Sequence, residues 1–175
     1  MFADDATSQM RSRARIAWCL YDWGNSAFPA VIVTFVFSTY FVTAVASDEV
    51  TGTKQWGWAL SLSGLAIATL SPVCGAIADS TGRCKSWLAL CSTLAIVATA
   101  LLWFVHPVTD SVLWALVVFA LANVGFEIGQ VFYNALLPTI VPPRRFGRLS
   151  GWGWALGYAG GLCCLLVTLL VFVEG

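Results

Sequence analysis

Four polar side chains recur along an otherwise apolar stretch, at spacings of four, three and four residues: Asn123, Glu127, Gln130 and Asn134. On a helix this spacing places them within about 60° of one another, so they form a polar ladder on one face. A carboxylate inside membrane hydrocarbon costs at least ~2.5 kcal/mol, and such residues usually face water, pair with another group or bind protons. The polar ladder therefore predicts a substrate or proton site. The alternative is a protonated Glu127 that is hydrogen-bonded to a neighbouring helix.

A second polar face lies at the start of the first apolar stretch, where Asp22, Asn25, Ser26 and Pro29 share one side of a helix. Gly24 and Pro29 together allow a kink or a locally unwound turn, because Gly has no side chain and Pro lacks a backbone N–H. We therefore expect Asp22 and Asn25 to belong to the substrate or proton site.

These polar groups interrupt a chain that is 59% hydrophobic and only 10% charged, against about 25% charged in ordinary soluble domains. Five hydrophobic stretches are near or above the ~20 residues that cross a bilayer core as a helix. We predict an all-α integral membrane protein with a single membrane domain over residues 1–175. Its five transmembrane helices are expected at about 16–46, 55–78, 86–105, 112–141 and 149–173.

The distribution of the nine Lys and Arg residues predicts the orientation. Only Lys54 lies after the first predicted span and before the second. The others precede the first, third or fifth span: Arg11, Arg13, Arg15, Arg83, Lys85, Arg144, Arg145 and Arg148. The positive-inside rule then places the N-terminus in the cytoplasm. This charge pattern also leaves an alternative for Asp22, as an interfacial residue that pairs with Arg15 or Arg148.

Residue types suited to metal, acyl-transfer or nucleic-acid chemistry are scarce or scattered. The one histidine, His106, lies at the outer end of the third predicted span, away from any cluster of carboxylates. The six cysteines lack paired spacing suited to zinc, and no Ser or Cys stands in a nucleophile motif. Net charge is formally zero, with dispersed basic residues. We therefore predict no metal, no cofactor, no nucleic-acid partner and no enzymatic activity.

Small residues recur at helical spacing in two spans, and such stripes let another helix backbone approach closely. The stripe of the second span comprises Gly57, Ser61, Gly64, Ala68, Ser71 and Gly75; that of the fifth comprises Gly153, Gly157 and Gly161, flanked by Gly160. Both are interpreted as packing faces, as is the side of the fourth span that carries Gly125 and Gly129. Five tryptophans fit an aromatic belt at the membrane surface: Trp18, Trp23, Trp56, Trp87 and Trp152.

A short charged turn, residues 75–85 (Gly-Ala-Ile-Ala-Asp-Ser-Thr-Gly-Arg-Cys-Lys), connects the second and third predicted spans. It resembles the signature loop of the major facilitator superfamily of secondary transporters, roughly Gly-x-Leu-Ala-Asp-Arg-x-Gly-Arg-Lys. The matching positions are Gly75, Ala78, Asp79, Gly82 and Arg83, whereas Ser80 and Cys84 depart from the pattern. The resemblance implies that this loop, through Gly75, Asp79, Gly82, Arg83 and Lys85, takes part in conformational exchange.

A more specific resemblance covers nearly the whole chain. Residues 21–28 (Tyr-Asp-Trp-Gly-Asn-Ser-Ala-Phe) resemble the first-span signature of one branch of the superfamily. Residues 133–138 and 147–158 resemble its junction between spans four and five. That branch contains the autophagy-related vacuolar amino-acid effluxers and bacterial relatives. In this superfamily helices 1 and 4 of the first six-helix half line the central cavity, which implies that Asp22 and Glu127 lie at that cavity.

The resemblance implies a secondary active transporter, or an N-terminal fragment of one, in a bacterial inner membrane. It would move a small polar solute by alternating access, with amino acids as the leading substrate class and protons as candidate coupling ions. Five spans are one short of the six in half of such a fold, so we expect a missing C-terminal half or a partner subunit to cover the polar ladder. The alternative function is a non-transporting membrane scaffold or assembly partner.

Overall fold

The structure of the chain is a computed structural model, and it describes residues 2–173. The predicted all-α architecture with five spans is confirmed, because five helical segments are long and apolar enough to cross a membrane. They are Ser12–Val45, Glu49–Thr81, Cys84–Phe104, Thr109–Ile140 and Pro143–Val171. The α-helices of the described residues are α1 (Phe2–Asn25), which begins before the first span, α2 (Phe37–Tyr40), α3 (Glu49–Thr81), α4 (Cys84–Leu101), α5 (Val112–Ile140) and α6 (Phe146–Thr168).

The first span is not a continuous α-helix. After α1 ends at Asn25, the chain forms a π-helix at Phe28–Phe35, the short α2, and a second π-helix at Phe41–Val45. Pro29 lies at the start of the first π-helix and removes one backbone donor, which disfavours continuation of the regular α-helical ladder. The interruption therefore occurs where Gly24 and Pro29 predicted it, directly after Asp22 and Asn25.

Local chemistry sets both ends of α3. At its start the N–H of Thr51 donates to Asp48 Oδ1 at 2.9 Å and holds the pKa of that carboxyl below its usual range. Because the lowered value belongs to the folded chain, this cap stabilises α3 at higher pH and is lost as the pH falls through it. At its end Gly82 adopts the left-handed conformation, φ 61°, and its N–H donates to the Ala78 carbonyl.

Residues 36–135 form one of two compact units into which the chain divides. Its core is aromatic: the Trp56 ring centroid lies 4.0 Å from that of Phe119 and 5.5 Å from that of Phe41. Trp87 stacks on Phe132 at 5.8 Å with an interplanar angle of 11°. Since lipid is as apolar as these rings, close packing and not exclusion from water holds such a core together.

Residues 1–35 and 136–175 form the other unit, in which α1 packs along α6. A Cβ placed on Gly153 would meet the Trp18 ring, and one on Gly157 would meet Asp22 and Ser26. Both helices thus advance by four residues between these contacts, which shows that they run parallel. The glycine stripe predicted in the fifth span is confirmed as a packing face.

The stripe predicted in the second span is not a packing face within the described residues. A Cβ on Gly57, Gly64 or Gly75 would meet nothing there within 4 Å. Instead α3 buries a different side, formed by Gly52, Trp56, Ala59, Ser63 and Ala78. The reason is that Trp56 carries far more contact surface than any small residue, and it directs its own side of α3 into the aromatic core.

The prediction of an aromatic belt was wrong for two of its five tryptophans, Trp18 and Trp56. Trp18 is only 5% exposed and Trp56 only 7%, so both are core residues. Trp18 packs against Gly153, which has no side chain to exclude the indole, and Trp56 lies among the rings around Phe119. Trp23 and Trp152 remain exposed, as a belt requires.

Candidate functional site

Asp22 is held against the glycine stripe of α6. A Cβ on Gly157 would lie 2.8 Å from both Asp22 Oδ2 and Ser26 Oγ, so the missing side chain provides the space for this carboxylate. Ser26 itself donates its hydroxyl to the Asp22 backbone carbonyl at 2.8 Å. Among the described side chains, Asp22 makes no salt bridge with Arg15 or Arg148, so the interfacial ion pair considered above is absent there.

Asn25 lies one turn further along, at the last residue of α1. Its side chain is half-buried, and its Nδ2 atom is inaccessible to solvent without a hydrogen-bond partner among the described residues. An unsatisfied buried donor normally costs about 1–3 kcal/mol. Asp22 and Asn25 are three residues apart and therefore neighbours on one helix face, which places an acceptor and an unpaired donor side by side.

The residues of the signature loop divide into two groups. Gly75 lies inside α3 and takes no part in the reversal. The reversal depends on Gly82 and Arg83, which alone separate α3 from α4. The charged residues Asp79, Arg83 and Lys85 are all exposed at this end of the two helices.

The polar ladder begins with a buried contact between α5 and α3. Asn123 is 8% exposed, and its Nδ2 donates to Ser63 Oγ at 2.9 Å. The Ser63 hydroxyl in turn donates to the Leu60 carbonyl at 3.1 Å. Asn123 is therefore occupied by a helix-to-helix hydrogen bond inside the unit of residues 36–135.

The other three residues of the ladder are less covered than Asn123. Gln130 is half-buried, whereas Glu127 and Asn134 are exposed on the surface of their unit. Within the described part of the chain the Glu127 carboxyl makes no hydrogen bond or salt bridge. The opposite side of α5 is packed as predicted: Gly129 is buried, and a Cβ on Gly125 would lie 3.0 Å from the Ala95 backbone nitrogen.

Replacing either partner of the Asn123–Ser63 hydrogen bond by Ala should destabilise the unit of residues 36–135 by about 1 kcal/mol, because a buried polar partner is lost. The double variant should cost less than the sum of the two, with a coupling of about 0.6 kcal/mol, typical of interhelical hydrogen bonds in membranes. Unfolding in mixed micelles measures this. Strictly additive losses would contradict a direct bond, and Ser61→Ala, on the exposed side of α3, serves as the control.

Two features of the site were not predicted from the sequence. Ser63 lies outside the stripe of small residues in α3, and a lone Ser in a membrane helix is usually bonded to its own backbone. The contact of Asp22 with Gly157 joins residues far apart in sequence, and only the combination of a glycine stripe and a polar face could have suggested it. Among the described residues, no three His, Cys, Asp or Glu side chains are grouped to hold a metal ion.

Comparison with known proteins gives matches by sequence over most of the chain. The family model of the major facilitator superfamily matches residues 3–163. The chain is 31% identical over 160 residues to YxiO, an uncharacterized MFS-type transporter of Bacillus subtilis (strain 168); the alignment covers 90% of this chain and 37% of that protein. The chain thus spans little more than a third of that relative. No solved structure matches it significantly. The match over most of its length shows that the chain belongs to the major facilitator superfamily of membrane transporters.

Proposed function

We propose that the chain carries out secondary active transport of a small polar solute by alternating access, with amino acids as the substrate class and protons as the coupling ion. The observation that carries this proposal is Glu127, an exposed carboxyl on a helix long and apolar enough to cross the membrane. Hydrocarbon cannot satisfy such a group, so it needs a water-filled cavity or a polar neighbour. The solute pathway of a transporter provides such a water-filled cavity.

The pair Asp22 and Asn25 supports an amino-acid substrate. A zwitterion needs an acceptor for its ammonium group and donors for its carboxylate. The Asp22 carboxylate makes no salt bridge among the described side chains, and the Asn25 amide has a donor without a partner there. The resemblance of residues 21–28 to the first span of an amino-acid effluxer branch favours the same class. Gln130 and Asn134 belong to the other compact unit and offer neutral hydrogen-bonding groups along the polar ladder.

The exposed part of the polar ladder also supports a covering partner. Glu127 and Asn134 lie at the surface of their unit, where lipid would leave their hydrogen-bonding groups unsatisfied. The curated relative is more than twice as long as this chain. We therefore propose that a second half or a partner subunit faces α5 and closes the solute pathway, within a bacterial inner membrane.

Uptake or efflux of a panel of labelled amino acids in membrane vesicles tests the proposed function. Vesicles from cells that produce the protein should move at least one member of the panel faster than vesicles from cells without it. A pH gradient should change that rate. If no solute moves in any gradient while the protein is present and folded, a non-transporting scaffold is favoured instead.

We propose that the signature loop controls the exchange between inward-open and outward-open states. Asp79 and Arg83 are exposed at the ends of α3 and α4, where each can pair with a helix end in one state and not in the other. Asp79→Asn should therefore change the transport rate severalfold and leave substrate affinity nearly unchanged. Flux and equilibrium binding, measured on the same preparation, separate the two effects. Lost binding with unchanged turnover would contradict this role.

We also propose the orientation that the distribution of the nine Lys and Arg residues predicts, with the N-terminus and residues 75–85 in the cytoplasm. Thr53 and Ser80 are both exposed near opposite ends of α3, so each can carry a single cysteine in a variant without native cysteines. An impermeant thiol reagent added to intact cells should label Thr53→Cys and should label Ser80→Cys only after permeabilisation. The reverse pattern would refute the orientation.

A further inference from the structure

A cavity of about 420 Å³ lies beside the parallel helices α1 and α6, wholly within their compact unit. Three arginines line it: Arg15, Arg145 and Arg148. Most of the remaining lining is apolar and includes Ile16, Leu20 and Trp152. A second cavity of similar volume shares Arg15 and Arg145. Cationic groups and apolar walls thus meet in one recess.

The three arginines suit a phosphate group. Guanidinium groups bind phosphate through paired N–H donors, and their planar shape makes this recognition specific. Among the described side chains, neither Arg145 nor Arg148 has a salt bridge with a carboxylate.

The position of the cavity favours a lipid over a phosphate from solution. Arg15 stands near the start of the span Ser12–Val45, and Arg145 and Arg148 near the start of Pro143–Val171. These ends lie at the same side because α1 and α6 run parallel. Arginines at span ends occur at the level of lipid headgroups, and basic pockets between transmembrane helices bind anionic headgroups. A small soluble anion would make no favourable contacts with the apolar walls, whereas an acyl chain would.

We propose that this recess binds an anionic phospholipid, with the phosphate on Arg145, Arg148 and Arg15 and an acyl chain along Ile16, Leu20 and Trp152. None of these residues belongs to the polar ladder, to the Asp22–Asn25 pair or to the signature loop. The site therefore uses other residues than the proposed solute pathway and adds a lipid partner to the proposed transport function.

Native mass spectrometry of the purified protein tests the proposal, with phosphatidylglycerol, phosphatidylcholine or inorganic phosphate added at equal concentrations. Removing two charges with Arg145→Gln and Arg148→Gln should weaken phosphatidylglycerol binding by about tenfold or more. The matched control is Arg144→Gln with Lys54→Gln, which removes the same charge from residues that line neither cavity. Arg145→Lys with Arg148→Lys keeps the charge but loses the paired donors, so it should bind phosphatidylglycerol more weakly than the unmodified protein and more strongly than the double Gln variant.

Comparing the three added compounds shows whether the bound phosphate group belongs to a lipid or comes from solution. Selective retention of phosphatidylglycerol by the unmodified protein and by the control, with loss in the double Gln variant, supports the site. Equal retention of phosphatidylcholine, or displacement of phosphatidylglycerol by inorganic phosphate, would overturn it as a lipid site. An equal loss in the control variant would also overturn it, because the binding would then follow overall charge. The double Lys variant distinguishes lost charge from misfolding.

Discussion

Replacing Glu127 with Gln is expected to flatten the pH dependence of transport. A glutamine keeps the shape and can both donate and accept hydrogen bonds, but it cannot gain or lose a proton. For one coupled proton, the driving free energy of the coupled step changes by about 1.4 kcal/mol per pH unit, or tenfold in the equilibrium constant. We expect the variant to lose most of this response. Initial rates of solute flux in membrane vesicles, measured across a range of pH, provide the readout.

Two variants make the Glu127 test specific. Glu49→Gln removes a carboxylate of the same type at the exposed start of α3, outside the polar ladder, and should leave the profile unchanged. Glu127→Asp keeps a titratable group and should retain a pH response. A profile that survives Glu127→Gln intact would show that the coupling lies elsewhere, and Asp22 would be the next residue to replace.

Fold-level prediction succeeded because a spanning helix needs only length and apolar composition. The break in the first span could also be predicted from the sequence, since Gly24 and Pro29 act through local backbone chemistry. The extent of the π-helix at Phe28–Phe35 could not, because no local residue pattern marks a switch from α-helical to π-helical hydrogen bonds. Local residues therefore predict where the helix breaks but not the geometry of the break.

Packing faces were predicted less well, for a physical reason. The glycine stripe of α6 and the stripe of small residues in α3 have the same spacing, yet within the described chain only the first meets a partner helix. Small residues allow a close approach but exert no attraction of their own. Which stripe is used depends on larger residues elsewhere, such as Trp56, whose contacts fix the rotation of α3.

For the polar ladder, too, the sequence predicted the face of the helix but not the surroundings of each residue. Helical periodicity placed its four residues on one face of α5, but it could not show that they have different surroundings. Asn123 is held by Ser63, which carries no sequence signal, whereas Glu127 is exposed in its unit. The spacing of residues along a helix predicts only which face of that helix they occupy. Burial depends on what the neighbouring helices present, and that requires the fold.

Gly160→Ala should be the most damaging single-methyl change in the unit that contains α1 and α6. A Cβ at residue 160 would overlap the backbone carbonyl of Trp23, and a main-chain atom of a packed helix cannot move aside as a flexible side chain does. Overpacking of a close contact typically costs about 1–3 kcal/mol, and we expect a loss at or above the upper end of that range. Unfolding in mixed micelles, followed by circular dichroism, measures it.

The other glycines of α6 turn this prediction into an ordered series. Gly151→Ala is the matched control, since a Cβ there meets nothing within 4 Å, and Ala favours a helix over Gly by about 1 kcal/mol. Gly161→Ala should fall between the two, because its Cβ would lie 3.3 Å from the Ser26 carbonyl oxygen and needs only a small shift. If Gly160→Ala were as stable as Gly151→Ala, α1 and α6 could not pack as closely as the structure places them. The contact that positions Asp22 against Gly157 would then be lost with that packing, since one helix approach sets both distances.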